Sequence, residues 1–135
     1  MARIVLTNAV VKINSVDLSD HVASVELSQE VEEVETTAFG DSARTRTGGL
    51  ANNSLSLDFH QDFASSSVDD TLNALVGGTA SFEILPAGTA VSATNPKYSG
   101  TVLLTEWTPV SGAIGELATA SITWPISGAV TRATA

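Results

Sequence analysis

The feature that most constrains the fold of this chain is an alternation of apolar and polar residues with a period of two. In ASVELSQEV, residues 23–31, every second residue is apolar apart from Gln29, and the residues between them are serine or glutamate. LSLDF, residues 55–59, repeats the pattern. Successive side chains of a β-strand point to opposite faces, so a period of two is the strand period. Each stretch therefore predicts a strand with one face for a core and one for water or a partner.

The same alternation predicts strands in most of the remaining chain. They are expected at residues 80–86, 97–107 and 114–126. The first segment, residues 4–14, predicts a strand that is interrupted near Asn8. A turn at Asn14 and Ser15 and a short strand at residues 16–18 are expected to follow it.

The segment SSSVDDTLNALVGG, residues 65–78, has the helical period instead. Val68, Leu72 and Leu75 lie three or four residues apart and predict an apolar stripe that packs on the sheets. Ser67 with Asp70 resembles a capping box, and two glycines at the end supply a stop. We therefore expect a single domain over residues 1–135. It is predicted to be a mainly antiparallel β sandwich with one short helix, residues 67–76, inserted between strands.

Charge and composition exclude several classes of function. Fifteen Asp and Glu against six Lys and Arg give a net charge of -9, which opposes tight binding to nucleic acid, since phosphates require a basic face. The chain has no cysteine, so neither a disulfide framework nor a thiolate zinc site is available. No stretch is long enough to cross a bilayer, and the first apolar run is too short for a secretory signal. We expect a protein that is made and used in a cytosol.

The candidate catalytic groups form no recognisable constellation. His60 lies near Asp58 and Asp62, but a lone histidine at a strand end is more often a hydrogen-bonding residue than a metal ligand. No serine has the flanking glycines of a nucleophile elbow, and GDSARTRTGG, residues 40–49, lacks the lysine and helix of a phosphate-binding loop. The sequence therefore predicts a protein that is not an enzyme and that uses no metal or cofactor.

Several segments occur in an order that one protein family shares. They are VKINSVDLSDHV, an acidic strand ending in VETTAFGD, RTRTGGL, SLSLDFHQDF, the helical SSVDDTLNALVGG, and NPKYSGTVLLTEWTP. In this order they resemble the tail tube proteins of long-tailed bacteriophages, from about Val11 to the final SGAVTRATA. TTAFGD with a following arginine and GGL, together with NPKYSG, are the most specific of these motifs.

The resemblance implies a β sandwich with one packed helix that assembles into hexameric rings. In that family the rings stack into a hollow tube through which the genome passes, and each subunit lends a sheet to a continuous inner barrel. The partners would be further copies of the chain and other tail proteins, such as the tape measure and the tail terminator. DNA would be only passing cargo, and no membrane would be bound. The protein would reside in the virion tail after assembly in the host bacterial cytoplasm.

The acidic stretch places Glu26, Glu30 and Glu32 on one face of the long predicted strand. An extended strand spreads the three carboxylates along a line, whereas a calcium site needs ligands that converge from a turn. The face is either a solvated surface or a functional one, and in the second case it lies toward the tube lumen or a subunit boundary. An acidic or neutral wall would let the DNA duplex slide, because it does not bind phosphates.

Residues 36–50, TTAFGDSARTRTGGL, are predicted to form an extended loop. The resemblance implies that this loop reaches the neighbouring ring or subunit through Phe39, Asp41, Arg44 and Arg46. Arg44 and Arg46 would point the same way in an extended arm. They could pair with Glu33 or Glu35 of their own chain, or reach an acidic patch on the adjacent ring or subunit. The glycines of the loop favour the second alternative, since they leave the segment mobile until a contact orders it.

Two other classes of protein remain compatible with a small β domain. A capsid decoration protein or other accessory virion protein would bind a shell as a monomer or trimer and would not polymerise. An immunoglobulin-like binding module, for adhesion or carbohydrate, would typically be secreted and display aromatic residues on a binding face. Of the candidates Tyr98, Trp107 and Trp124, Trp124 falls on an apolar strand face and is predicted to belong to the core.

Overall fold

The computed structural model describes residues 3–135, and two antiparallel sheets dominate this part of the chain. The strands are β1 (Val10–Ile13), β2 (Val16–Asp17), β3 (Val22–Glu35), β4 (Arg46–His60), β5 (Thr79–Leu85), β6 (Lys97–Leu103), β7 (Thr119–Pro125) and β8 (Thr131–Ala133). The first sheet has the order β2-β1-β5-β6-β8 and the second the order β3-β4-β7. Helix α1 covers Val68–Asn73, and a 3-10 turn covers Ser19–His21. Strands make up 47% of the structure, which confirms the predicted fold class.

The two sheets and α1 enclose one hydrophobic core. Strands β1, β5 and β7 and the core half of β4 contribute every second residue, as the alternation predicted, whereas Ala23 and Val31 of β3 are exposed. The largest fully buried side chains are Trp124, Phe59, Phe82, Ile13, Leu18, Leu55, Leu57, Leu72 and Leu104. Trp124 can be buried without loss of a hydrogen bond because its Nε1 donates to the Glu106 carbonyl oxygen at 2.8 Å. Burial of these side chains supplies the main stabilisation of a chain without disulfides.

The helix is shorter than predicted and is capped differently. It ends at Asn73 because Leu75 donates its N–H to Leu72 at the tighter i−3 spacing, and a turn follows to Gly77, whose φ is +86°. The predicted capping box does not form. Asp70 accepts the N–H of Ser66 at 2.8 Å, and the Ser67 hydroxyl donates to Asp62.

The strand boundaries differ from the sequence prediction between residues 104 and 118. Residues 104–107 and 114–118 were expected to belong to strands, but β6 ends at Leu103 and β7 begins at Thr119. The chain leaves β6 where Leu104 exchanges backbone hydrogen bonds with Gly77 and Gly78. Strand β8 was not predicted, since three residues are too few to show an alternation. The predicted turn at Asn14 and Ser15 is confirmed, with φ of 52° and 66°.

Strands β3 and β4 form a long hairpin whose outer half extends beyond the core. The expected loop at residues 36–50 is shorter, because β4 already begins at Arg46 and only residues 36–45 are irregular. The pairing of β3 with β4 shifts in register between Val31 and Glu33, and Gly48 is the partner of Glu33 after this shift. A Cβ on Gly49 would lie 2.9 Å from the Val34 side chain, so this glycine allows close packing. Both glycines therefore belong to strand β4, and Gly40 is the residue of the loop that has a positive φ, of +93°.

Replacement of Leu72 by alanine tests how α1 is held. Leu72 is fully buried in the core, so Leu72→Ala is expected to lower the free energy of unfolding by about 2–5 kcal/mol. Asn73→Ala is the matched control, because Asn73 is exposed on the same helix and should change stability by less than about 0.5 kcal/mol. Chemical denaturation of both variants measures the difference. Equal stability of wild type and Leu72→Ala would contradict the packing of α1.

Candidate functional site

The outer face of the second sheet is polar along all three strands, and we name it the polar face. Its residues alternate along β4 and β7 with the buried core residues, because successive side chains of a strand point to opposite faces of the sheet. It consists of Ser24, Glu26, Ser28 and Glu30 on β3, of Asn52, Ser54, Ser56, Asp58 and His60 on β4, and of Thr119, Ser121 and Thr123 on β7. The face carries carboxylates, hydroxyls, amides and one histidine but neither lysine nor arginine.

Hydrogen bonds between neighbouring strands organise the polar face. Asp58 on the central strand accepts hydrogen bonds from Ser121 on one side and from Ser24, at 2.8 Å, on the other. These two bonds lower the pKa of Asp58 below its usual value of 3.8, so the carboxylate is ionised at neutral pH. The hydroxyl groups of Ser56 and Thr123 are 3.0 Å apart and form a further cross-strand bond. The centre of the polar face is therefore a network of cross-strand hydrogen bonds in which serine and threonine hydroxyls surround the Asp58 carboxylate.

The three glutamates predicted as an acidic face divide between two parts of β3. Glu26 lies opposite Ser56 and Glu30 opposite Asn52, so both belong to the polar face. Glu32 continues the same alternation into the projecting half of the hairpin, where both faces of the strand are exposed. Within residues 3–135 none of the three forms an ion pair. No group of residues in this range is arranged to hold a metal ion.

The tip of the hairpin is a tight turn with an exposed aromatic side chain. Asp41 and Ala38 close the turn, because the Asp41 carboxylate accepts the Ala38 N–H at 2.8 Å and the Asp41 N–H donates to the Ala38 carbonyl oxygen at 3.2 Å. Phe39 between them is fully exposed. Asp41 therefore shapes the tip, and Phe39 is the group that the tip presents.

Arg44 and Arg46 both contact carboxylates of their own hairpin. Arg44 Nη1 lies 2.9 Å from Glu35 Oε1, and Arg46 Nε pairs with Glu33 Oε1. The structure thus contains the intramolecular alternative that the sequence allowed. The four side chains remain largely exposed, with between 48% and 71% of each accessible, so each pair contributes about 0–1 kcal/mol. The arginines are held in place but remain accessible to a partner.

The second sheet has two outer edges that no strand in residues 3–135 covers, on β3 and on β7. The β7 edge is partly occupied by a side chain, because the Thr123 N–H donates to the Glu106 carboxylate at 3.3 Å. Sequence patterns did not reveal this contact, since Glu106 lies in the segment expected to be a strand. An unpaired edge is a template for pairing with another chain.

The histidine that contacts Asp62 is His21, although the sequence spacing had grouped Asp62 with His60. His21 links two carboxylates, with Nε2 at 2.8 Å from Asp62 and Nδ1 at 2.9 Å from Asp20. Asp62 also accepts hydrogen bonds from Ala64 and Ser67, and these bonds lower its pKa. His60 lies opposite Thr119. The grouping of His21 with Asp62 arises from tertiary contact across 41 positions of the chain, which no local motif signals.

The described residues contain no helix that is long and apolar enough to cross a membrane. Their polar side chains form networks within the hairpin, the polar face and the start of α1, and we find no grouping of nucleophile, base and oxyanion donors among them.

The fold defines a class: a small two-sheet β sandwich with one helix, a projecting hairpin and open sheet edges. It is similar to a chain in the virion of the native gene transfer agent particle, with a TM-score of 0.74 and 15% identity over 93% of this chain and 95% of that chain. It is also similar to a chain in the tail of the empty gene transfer agent particle, determined with C6 symmetry. That TM-score is 0.65, with 16% identity over 82% and 81% of the two chains.

A third similar structure comes from the six-fold symmetrised baseplate of the anti-feeding prophage. Its TM-score is 0.52, with 10% identity over 98% of this chain and 97% of that chain. No family model and no curated protein sequence matches the chain. The chain thus shares its fold with chains of gene transfer agent virion and tail particles, which agrees at the level of fold with the resemblance to tail tube proteins.

Proposed function

We propose that the protein is the subunit of a hollow tail tube, built from stacked hexameric rings, through which DNA passes. The observation that carries the proposal is the polar face, a sheet surface with carboxylates and hydroxyls but neither lysine nor arginine. Support also comes from the fold, which is shared with chains of tail and virion particles, one of them with C6 symmetry. The protein would act as a structural component of the virion tail and not as an enzyme.

In this proposal the polar face of each subunit lines the lumen. A wall rich in cations would bind the phosphates of DNA and release counterions, which would hold the duplex in place. The polar face carries the carboxyl groups of Glu26, Glu30 and Asp58 and neither lysine nor arginine, so it would repel the phosphates instead. Short hydroxyl and amide side chains between them leave few projections into the channel. We therefore place Glu26 and Glu30 toward the lumen.

Ring formation would join the two outer edges of the second sheet. Both β3 and β7 are antiparallel to β4, so they run parallel to each other. With all subunits related by one rotation, β7 of one subunit would meet β3 of the next as a parallel pair, in a head-to-tail contact that closes into a ring. Closure removes the exposed edges. Pairing of β7 beyond Ser121 requires Glu106 to release the N–H of Thr123.

The projecting hairpin would connect one ring to the next. It extends beyond the core and presents Phe39 at its tip, with Arg44 and Arg46 on its flank. The remaining partners of such a tube would be the tape measure and tail terminator proteins, with assembly in the cytoplasm of a host bacterium. DNA would be cargo and not a bound ligand.

Electron microscopy of the purified protein tests the proposal against a shell-bound accessory protein and a monomeric binding module. We expect hollow tubes of uniform diameter in negative stain, with six-fold symmetry in end views, as concentration is raised. A protein that stays monomeric at high concentration, or that forms only monomers and trimers that bind shells, would contradict the proposal. Sedimentation at the same protein concentrations measures the mass of the assemblies that microscopy shows.

A further inference from the structure

Two exposed apolar segments flank the second sheet on opposite sides. The N-terminal segment, residues 3–9, leaves Ile4, Val5 and Leu6 exposed over 60%, 82% and 57% of their surfaces. The loop before β7, residues 108–118, leaves Val110 and Leu117 exposed over 82% and 64%, and Ile114 fully exposed. Such clusters are unusual on a protein that acts alone.

The N-terminal segment lies on the β3 side of the molecule. Leu6 and Ala9 line an apolar groove of about 300 Å³ together with Val25 and Leu27 of β3 and with residues of the first sheet. Leu6 also lines a second groove that runs beside Val22. The segment therefore lies along the open flank of the sandwich, next to the unpaired β3 edge.

The loop lies on the β7 side and is anchored at both ends. Gln61 donates its backbone N–H to the Ala118 carbonyl oxygen at 3.0 Å and its Nε2 to the Pro109 carbonyl oxygen at 2.7 Å. These bonds tie the loop to the end of β4. Its apolar side chains are thus presented from a fixed position and point away from the core.

Residues 6–9 and the end of the loop both lie near the end of the sheet where β3 begins. Phe59 of β4 pairs with Val22 on one side and with Ala120 on the other. Val22 begins β3 beside the N-terminal segment, and Ala120 lies directly after the loop. A neighbour that joins the β7 edge to the β3 edge at this level would place residues 6–9 of one subunit near the loop of the next, within reach of residues 3–5.

The charges of the two segments are complementary. Arg3 is the one charged residue of residues 3–9, and Glu116 is the one charged residue of residues 108–118. Both are exposed, and within the described part of the chain neither forms an ion pair. Arg3 lies next to Ile4, and Glu116 lies between Ile114 and Leu117. A single contact between the two segments can therefore pair the charges and cover the apolar side chains together.

We propose that the N-terminal segment of one subunit packs on the loop of residues 108–118 of the adjacent subunit in the same ring. Ile4, Val5 and Leu6 cover Val110, Ile114 and Leu117, and Arg3 faces Glu116. The contact is head-to-tail, because it joins two different surfaces, and it would repeat around the ring. This inference rests on the proposed ring assembly and names the side chains that fasten one subunit to the next outside the sheet.

Cysteine cross-linking tests the contact directly, because the chain has no cysteine of its own. Val5→Cys and Ile114→Cys are prepared as separate proteins, assembled alone or mixed, and treated with a mild oxidant. We expect disulfide dimers only in the mixture, since the contact joins position 5 of one subunit to position 114 of the next. The variant with both cysteines is expected to give a ladder of covalent oligomers that ends at the hexamer.

The possible outcomes separate this inference from the proposed function. Tubes that form without cross-links in the mixture, or that cross-link within one single-cysteine variant, would overturn the contact and leave the tube intact. Absence of tubes from wild-type protein would overturn both. Ile4→Cys with Leu117→Cys repeats the test at a second pair of exposed positions, so the result does not depend on one substitution.

A charge exchange provides an independent measurement. Arg3→Glu or Glu116→Arg alone is expected to raise the concentration needed for tube formation roughly two- to fivefold, as loss of an exposed ion pair would. The two changes in one protein restore opposite charges and should return the concentration to that of wild type. Additive weakening in the double variant would contradict the pairing of Arg3 with Glu116.

Discussion

Particles whose tail protein carries Glu26→Lys, Glu30→Lys and Glu32→Lys together are expected to assemble tails but to deliver DNA poorly. The three side chains are exposed on one face of β3 and form no ion pair in residues 3–135, so their replacement should leave the fold nearly unchanged. In a lumen, the new ammonium groups would bind phosphates through counterion release. We expect delivery to fall at least about tenfold, with partial recovery at higher salt.

The matched control replaces the same three residues with glutamine. Glutamine removes the negative charge without attracting phosphate, so the control separates the loss of repulsion from the gain of binding. We expect near-normal delivery from the glutamine variant. Tails are examined by electron microscopy and delivery is counted as transduced or infected cells. Normal delivery by the lysine variant would show that the polar face does not line the lumen.

The double variant Arg44→Glu with Arg46→Glu is expected to abolish tube formation while the monomer keeps its melting temperature. The fold should tolerate the change, because both wild-type ion pairs are exposed and contribute about 0–1 kcal/mol each. Assembly should not tolerate it, because the reversed charges would repel Glu33 and Glu35 and any acidic patch on the adjacent ring. Thermal melts and negative-stain microscopy measure the two effects separately.

A charge swap then distinguishes the two possible roles of the arginines. Adding Glu33→Arg and Glu35→Arg to the double variant restores opposite charges within the hairpin. Recovery of tubes would mean that the ion pairs act only by shaping the hairpin. Continued failure would mean that the arginines themselves contact the next ring, as we predict. Normal tubes from the original double variant would show that the loop is a solvated turn with no role in tube assembly.

Much of the fold could be predicted because its information is local. The alternation at residues 23–31 and 55–59 specified two strands with unlike faces, and these became β3 and the core half of β4. The turn at Asn14 and Ser15 also follows from neighbouring residues alone. The helix was placed correctly but made too long, since its end depends on how Leu72 and Leu75 meet the next turn.

The glycines of the hairpin show where local information was insufficient. Gly48 and Gly49 looked like a flexible loop, but their neighbours Val31 and Val34 come from the opposite strand. The ion pairs of Arg44 and Arg46 depend on the same cross-strand register. A mobile loop and a close contact between two strands both favour glycine, so the two cannot be told apart until the strand pairing is known.

The sequence by itself determined that the chain is a β sandwich with a cation-free, acidic strand face, because side-chain alternation and charge are properties of each segment alone. The tertiary structure decided which strands share a sheet, and therefore that Glu26, Asp58 and Ser121 form one surface. It also decided that the edges of β3 and β7 stay open and that the N-terminal segment and the loop of residues 108–118 lie beside these two edges. These features arise from pairing between residues far apart in the chain, and the free energy of that pairing comes from the common core and not from any one segment.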